Sequence, residues 1–599
     1  MTQKGIPSIY EPIDLDVKEL FTSGEPLTFL VGAGISIEPP SALQSAWQIM
    51  EAILQFGAVE KEVEKLLKMP NLRFEYLIGL FKNQFDEDLI FLNYFEEATE
   101  PNIIHKFLAR MVQEGHFVMT TNFDSLIERA IGLDNDKLKL VITQEDFKRY
   151  GDPQKNWKKG LLVVYKLHGS LKNHKTGEKT KESIVITLEA LGRYKEGEIL
   201  SVQAFQRETF EKIGQGRTLL IMGYSGGDDF DVVPTLMQMK GLKRIIWIAH
   251  EPKADIGVTS YRIIPQVGVS VNADGTLSHE DKLLHNMSQL EGLEVIKMVG
   301  HTASLIIGVT GEFYDYGKSP EQQNMYQWLV EHLDQPIEGI KELFTALIFE
   351  TYRQYSEALG YYQQAYELSK RVDNFRTMAA ALSNMGLIYK RTEPEKALES
   401  HQKSYEVLER LEDLYGMAGQ LINIGLIHMD WGELQKALEH FQKSYEICEP
   451  LGHSSIMAIA LGNIGIIYWK KGQAKKALEY FQKSYKINEQ IGGLKGMATQ
   501  LGNIGGIYRE MDELQKALEH FKKSYEINER LEDLYGMAAQ LSNMALIYEA
   551  NKEFRIALEN FQRAYKIFEQ LKYRREMRRI TNTIERVKQQ IQNKKTKNT

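Results

Sequence analysis

The chain has 599 residues, 43% hydrophobic and 26% charged, with a formal net charge of −8. That length exceeds what one hydrophobic core serves, at about 100–200 residues per domain, and the mild acidity offers no global attraction for nucleic acid. The single cysteine, Cys448, excludes an intrachain disulfide framework and a multi-cysteine zinc site. The absence of a leader pattern, and of any apolar run of about 18 residues, leads us to expect a cytoplasmic protein without membrane spans.

Over residues 1–310, short apolar runs of strand type alternate with amphipathic stretches. The runs are LTFLV (27–31), FVMT (117–120), LLVVYKL (161–167), IVIT (184–187), LLIM (219–222), IIWIA (245–249) and VIKMV (295–299). Strands alternating with helices predict a doubly wound α/β domain on a parallel sheet. Such sheets bind ligands at the carboxyl ends of their strands, and the polar motifs of this half follow strands directly.

After the first run comes Gly32-Ala33-Gly34-Ile35-Ser36. Glycines there let a backbone approach a pyrophosphate and leave amides free to receive its charge. The third glycine of a dinucleotide fingerprint is missing, Ile37 holding its place, so taken alone a tight strand–helix turn is the better local reading. After the second run come Thr121-Asn122-Phe123-Asp124. The Asn122 amide can fix a ribose or a water and the Asp124 carboxylate can orient it, although either side chain also suits the N-cap of SLIERA. His168-Gly169-Ser170 follows the third run, where a lone histidine is commonly structural. Gly223-Tyr224-Ser225-Gly226-Gly227-Asp228-Asp229, with Asp231 beyond, is a donor-rich loop after LLIM.

A polar, turn-rich stretch at 310–323 marks a boundary, and a connecting segment (311–337) leads into repeats over 338–593. MAAALSNMGLIY begins at Met378, and related segments begin at Met417, Met457, Met497 and Met537, offset by 39 residues once and 40 thereafter. Each precedes a second amphipathic segment, such as QKALEHFQKSYEI (435–447), and a divergent copy around Ala358 comes before them. Apolar residues at helical spacing predict paired helices. No pair can bury its stripe alone, so stacking into a solenoid is obligatory. The small residues Gly386, Gly425, Gly465, Gly505 and Ala545 allow close helix approach. The chain closes on a basic segment, 572–597, and a tail at 594–599, which read as a solvated last helix.

The four N-terminal motifs, in this order, resemble the sirtuin NAD-binding fold, a Rossmann-type sheet. Pro101-Asn102-x-x-His105 and TTNFDxLIExA look closer still to prokaryotic sirtuin-like NADases of antiphage defence. That resemblance implies NAD as substrate, Asn122 and His168 as the catalytic pair, and Asp124 supporting ribose orientation. It places Ala33, Gly34, Ser36, Gly223 and Ser225, with Asn122 and Asp124, around the dinucleotide. Asn122 would position ribose hydroxyls and water, and His168 would act as general base, its ordinary pKa of about 6.5 suiting the task. The four-cysteine zinc module of deacylating sirtuins is absent. Ile37-Glu38-Pro39-Pro40-Ser41 stands where they carry an Asp-Phe-Arg stretch. Both departures favour an NADase without zinc over a protein deacylase or ADP-ribosyltransferase.

The repeats resemble tetratricopeptide repeats of the longer kinesin-light-chain type. That resemblance implies a protein or peptide on a concave face, clamped by the recurring Asn384, Asn423, Asn463, Asn503 and Asn543; the same asparagines also suit inter-repeat backbone contacts. A toxic NADase fused to a binding array implies an antiphage effector switched on by a phage-derived trigger, and by resemblance a homo-oligomer. The competing reading is a scaffold whose α/β domain senses NAD or ADP-ribose without turnover.

Overall fold

The computed structural model describes residues 9–70, 72–186, 202–226, 232–252, 258–265, 278–311, 324–531 and 533–597. Thr187, Gly227, Asp228, Asp229, Asp231 and residues 312–323 of the boundary stretch lie outside them. The chain divides into two compact units between Pro336 and Ile337.

The first unit is built on nine strands: β1 (Tyr10–Ile13), β2 (Leu27–Val31), β3 (Phe117–Thr120), β4 (Leu138–Val141), β5 (Leu162–Lys166), β6 (Thr218–Met222), β7 (Arg244–His250), β8 (Thr259–Ile263) and β9 (Glu294–Gly300). They form one sheet in the order β1-β8-β9-β7-β6-β2-β3-β5-β4. β8 pairs antiparallel with β9, and β1 antiparallel with β8; every other pairing is parallel. From β2 the chain moves outward to β3, then returns to the other flank of β2 at β6. The direction of winding thus reverses at the carboxyl ends of β2 and β6, which is where doubly wound sheets bind ligands.

The two-residue period of a strand divides the apolar runs between two cores. Phe29, Val31, Leu220 and Met222 face helices Ile103–Gln113, Leu126–Ile131 and Thr302–Thr310. Leu30, Leu219, Ile221 and Trp247 face the opposite side, with Phe147, Phe210 and Leu236 from other helices. Burial on both faces explains why these strands read as unbroken apolar runs.

The outer strands lack that signature. β1 has no fully buried residue, β8, between β1 and β9, is buried only at Ser260 and Ile263, and β4 is a four-residue edge strand carrying Lys139. The described part of the IVIT run, Ile184–Ile186, does not form the expected strand. Ile184, Val185 and Ile186 are buried but lie outside regular structure, and the Val185 amide donates to the His168 carbonyl at 3.0 Å. The run is apolar because it covers the end of β5. Helix Met325–His332 belongs to this unit: it packs on helix Ala46–Gly57, with Trp328 buried and the Met325 amide donating to Gln44 Oε1 at 2.6 Å.

The second unit is a solenoid. Helix pairs run Ile340–Thr351/Tyr355–Arg371, Phe375–Tyr389/Pro394–Arg410, Leu414–Asp430/Leu434–Cys448, Ser454–Lys470/Ala474–Gln490, Leu494–Glu510/Leu514–Arg530 and Leu534–Ala550/Phe554–Gln570, followed by Arg574–Lys597. The recurring small residue of the first helix lies under an aromatic ring of the second. A Cβ on Gly425, Gly465 or Gly505 would come within 2.6, 2.6 and 2.8 Å of Phe441, Phe481 and Phe521, and one on Gly386 within 2.6 Å of His401. A second joint was not apparent from periodicity. The hydroxyls of Ser404, Ser444, Ser484 and Ser524 donate to the carbonyls of Ala379, Ala418, Ala458 and Ala498 at 2.9, 2.9, 2.7 and 2.7 Å. Ala564 replaces the serine in the last pair. Turns contain left-handed residues at twenty-residue intervals, for example Gly432, Gly452, Gly472, Gly492 and Asp512.

Gly465→Val should therefore lower stability by about 1–3 kcal/mol through overpacking. Gly419→Ala, at a mid-helix glycine with nothing within 4 Å of a new Cβ, should be neutral or stabilising by up to about 1 kcal/mol. Thermal melts of the two variants compare these outcomes.

Candidate active site

Two backbone loops meet at the switch point. The Gly32 amide donates to the Met222 carbonyl at 3.1 Å, and the Gly34 amide to the Gly223 carbonyl at 2.8 Å. A Cβ on Gly32 would lie 2.7 Å from the Gly223 oxygen, and one on Gly34 2.7 Å from the Gly223 Cα; Gly223 itself has φ +63°. These glycines are required because the loops after β2 and β6 pack backbone against backbone. Ala33 and Ser225 are exposed beside them, and Gly34 and Gly223 are half-buried.

Under this junction lies a closed polar network. The Asn102 amide donates to His105 Nδ1 at 3.2 Å, so the neutral ring carries its proton on Nε2. His105 Nε2 lies 3.1 Å from Ser36 Oγ and donates to it. Ser36 Oγ donates to Asp124 Oδ2 at 2.8 Å and accepts from Asn122 Nδ2 at 3.2 Å. Asn122 Nδ2 also donates to Asp124 Oδ2 at 3.1 Å. With one donor and two acceptor positions filled, Ser36 has no hydrogen-bonding capacity left, and it is 1% exposed. Asp124 Oδ1 accepts the Leu126 amide at 3.1 Å, so the carboxylate also satisfies the first amide of helix Leu126–Ile131, whose N-cap is Ser125.

Because Asp124 only accepts and Ser36 has given its proton to Asp124, the Asn122 side chain must turn its NH₂ toward them. Its Oδ1 is buried and has no hydrogen-bond partner. A buried, unpartnered acceptor costs about 1–3 kcal/mol, which makes this atom the informative one in the network.

His168 stands on the neighbouring strand. Thr120 of β3 is in register with Lys166 of β5, so Asn122 and His168 each lie two residues past the same rung. The half-buried His168 ring sits 6.4 Å from that of Phe123. The turn beneath it is clasped from the side. Gly169 has φ +80°, and a Cβ there would meet the Ser183 carbonyl at 2.2 Å; Thr180 Oγ1 donates to the Ser170 carbonyl at 2.8 Å.

Two supporting groups escaped the sequence reading. Lys166 and Glu128, each with side chains 1% exposed, form an ion pair at 3.0 Å, and Lys166 Nζ also donates to the Asp124 carbonyl. A lysine inside an apolar strand run, and a glutamate on the inner face of LIERAI, were the available signals. Asn102 caps helix Ile103–Gln113, and its Nδ2 donates to the Ile35 carbonyl at 2.7 Å, fixing the glycine loop to the polar network.

Burial pushes the His105 imidazole down to about 4, against a smaller opposing pull from Asp124. The unfolded chain, with an ordinary histidine near 6.5, then binds the proton more tightly than the native protein. Stability from this group is complete above pH about 6.5 and is lost as pH falls toward 4, by an amount on the order of 3 kcal/mol. Urea unfolding midpoints across that window should fall steeply for the native protein and less steeply for His105→Gln.

Among described residues no helix is long and apolar enough to cross a membrane. The SIR2-like domain family matches residues 116–256, and the tetratricopeptide repeat family matches 417–490 and 496–570. No curated protein matches the chain. Among solved structures, BtubC (BKLC) from P. vanneervenii is 16% identical over 36% of this chain and 91% of its own, with a TM-score of 0.33. Aspartyl phosphate phosphatase F from Bacillus subtilis is 17% identical over 42% and 70%, with a TM-score of 0.34. SIR2-like domains are known in NAD-dependent enzymes and tetratricopeptide repeats mediate protein interactions; this chain joins a SIR2-like domain to a tetratricopeptide-repeat array.

Proposed function

We propose that the first unit hydrolyses NAD to ADP-ribose and nicotinamide, and that the repeat array controls it. The observation that carries this reading is the unpartnered Asn122 Oδ1, held dry at a strand end beside His168. It offers an acceptor for a ribose hydroxyl or for the attacking water. The bond between ribose C1′ and the nicotinamide nitrogen breaks, and its electron pair neutralises the pyridinium. Water adds to the oxocarbenium-like C1′, and His168 takes its proton. Ala33, Gly34, Gly223 and Ser225 line the approach for the dinucleotide. Ser36 and Asp124 act as positioning residues, because their hydrogen bonds are committed to holding Asn122.

In this proposal the enzyme is an antiphage effector. A phage-derived protein or peptide on the array turns it on, NAD falls, and the active form is a homo-oligomer. Asn503 Nδ2 and Asn543 Nδ2 donate to Gln500 and Gln540 of their own helices at 3.3 and 3.2 Å. The side chains of Asn384, Asn423 and Asn463 are half-buried, which suits ligand contact.

The test has two parts. Full-length protein, alone and co-expressed with phage proteins, should convert NAD to ADP-ribose and nicotinamide without an acylated peptide. Turnover only with acyl-lysine peptide would make it a deacylase, and NAD binding without turnover under every trigger would make it a sensing scaffold. Removing the residues after Pro336, where the first unit ends, should give constitutive NAD loss if the array restrains the enzyme, the outcome we expect. Asn463→Ala with Asn503→Ala should block triggered NAD loss and leave basal loss unchanged; normal triggering would make the asparagines structural.

A further inference from the structure

Glu38, His250 and His301 come from three separate segments and meet at the carboxyl edge of the sheet. Glu38 follows the glycine loop after β2, His250 ends β7, and His301 follows β9 and precedes helix Thr302–Thr310. One ligand atom from each lies within 4.8 Å of the other two. His301 Nε2 is 3.1 Å from Glu38 Oε1, and the two imidazole rings are 5.0 Å apart. Glu38 is half-buried, His301 is buried and His250 is exposed, so the cluster has one open side.

We propose that these three residues bind a divalent transition-metal ion of the zinc, cobalt or nickel class. The donor set of two imidazoles and one carboxylate suits such borderline cations better than magnesium or calcium, which prefer oxygen alone. Ligands about 2.0–2.1 Å from a tetrahedral ion stand roughly 3.4 Å apart. His301 and Glu38 already approach that spacing, and a small rotation of the exposed His250 side chain brings in the third. Each histidine also has a neighbour for its other nitrogen. Thr302 Oγ1 is 3.2 Å from His250 Nδ1, and Ser304 Oγ is 3.2 Å from His301 Nδ1. In the metal-free site the Thr302 and Ser304 amides donate to those same nitrogens at 3.5 and 3.3 Å, so metal binding at Nε2 requires each Nδ1 to take up a proton and donate it to the neighbouring hydroxyl in place of the amide bond, the usual support of a metal-bound imidazole.

An ion there would tie the loop after β2 to the ends of β7 and β9. Asn102 Nδ2 donates to both the Ile35 and the Glu38 carbonyls, so that loop is also the one bearing Gly34 and Ser36. The ion would brace the site and take no part in bond cleavage, since neither Asn122 nor His168 belongs to the cluster. The single cysteine, which excludes a multi-cysteine zinc site, has no bearing on a histidine–carboxylate one.

The test is binding of Zn²⁺ alone to metal-stripped full-length protein by titration calorimetry, with Co²⁺ absorption as a spectroscopic probe and without NAD, so that its failure is independent of the NADase reading. Native protein should take up one equivalent with a visible Co²⁺ band of low symmetry. His250→Ala, which leaves the Glu38–His301 pair and the His301 cap of helix Thr302–Thr310 intact, should weaken that binding at least 10-fold. Glu38→Gln and His301→Ala should abolish the band while circular dichroism stays unchanged. No saturable binding by native protein, or the same affinity and band in His250→Ala and Glu38→Gln, would overturn the proposal and leave His301 and Glu38 as a plain ion pair.

Discussion

His168→Ala and Asn122→Ala should each reduce NAD cleavage by about 10²–10⁴-fold, the usual range for losing a positioned proton acceptor, while leaving the melting temperature nearly unchanged. The two losses should differ in kind. His168 would act on the water proton, so His168→Ala should lower kcat and leave KM close to native. The Asn122 amide would touch ribose in the ground state as well, so Asn122→Ala should also raise KM. Asn122→Asp is the sharper probe. It replaces the two NH₂ donors toward Ser36 Oγ and Asp124 Oδ2 by a second carboxylate facing Asp124, so turnover should fall although the volume is unchanged. Product analysis with the full-length protein measures all three, and native turnover in His168→Ala would remove that residue from the mechanism.

Lys166→Met should be the most destabilising single change in the first unit. The substitution strands Glu128, whose side chain is 1% exposed, and removes the donor to the Asp124 carbonyl. Breaking a buried ion pair on one side costs about 3–5 kcal/mol, because the remaining charge has no partner. Lys166→Met with Glu128→Leu should recover most of that loss, since an apolar pair of similar volume removes the stranded charge. Activity should not return with stability, because Lys166 also holds the backbone at Asp124. Denaturant unfolding of the single and double variants, read beside turnover, separates the two effects. Equal stability in all three proteins would mean that Glu128 finds water.

The central strands were legible because burial on both faces demands unbroken apolar runs, as at Leu27–Val31 and Thr218–Met222. β1 and β8 were not, since the outer strands YEPI and TSYRI carry no such run. IVIT was misleading for the complementary reason: a loop that covers a strand end is also apolar. The four loops of the site could be placed from sequence because each follows a central strand directly. What they do to one another could not. The role of Ser36 depends on His105, 69 residues away, and on Asp124, 88 residues away, and no local pattern encodes that meeting. In the repeats, the glycines announced close packing, whereas the serine-to-carbonyl joint was hidden by the ordinariness of serine on a helix.

The placement of those joints sets how the array can change in length. Each glycine–phenylalanine contact and each serine-to-carbonyl bond closes within one helix pair. Helices Ser454–Lys470 and Leu494–Glu510 begin 40 residues apart, after His453 and Gly493 at matching N-cap positions. Excising 454–493 would join His453 to Leu494 and regenerate a seam of the kind already present. Duplicating the same segment would do the reverse. Gene-level slippage by whole repeats is thereby absorbed without a broken joint, whereas a shift of 20 residues would set a second-type helix where a first-type one belongs. Descendants of this gene can thus lengthen or shorten the surface they offer to a partner in quantised steps, independently of the SIR2-like domain to which it is joined.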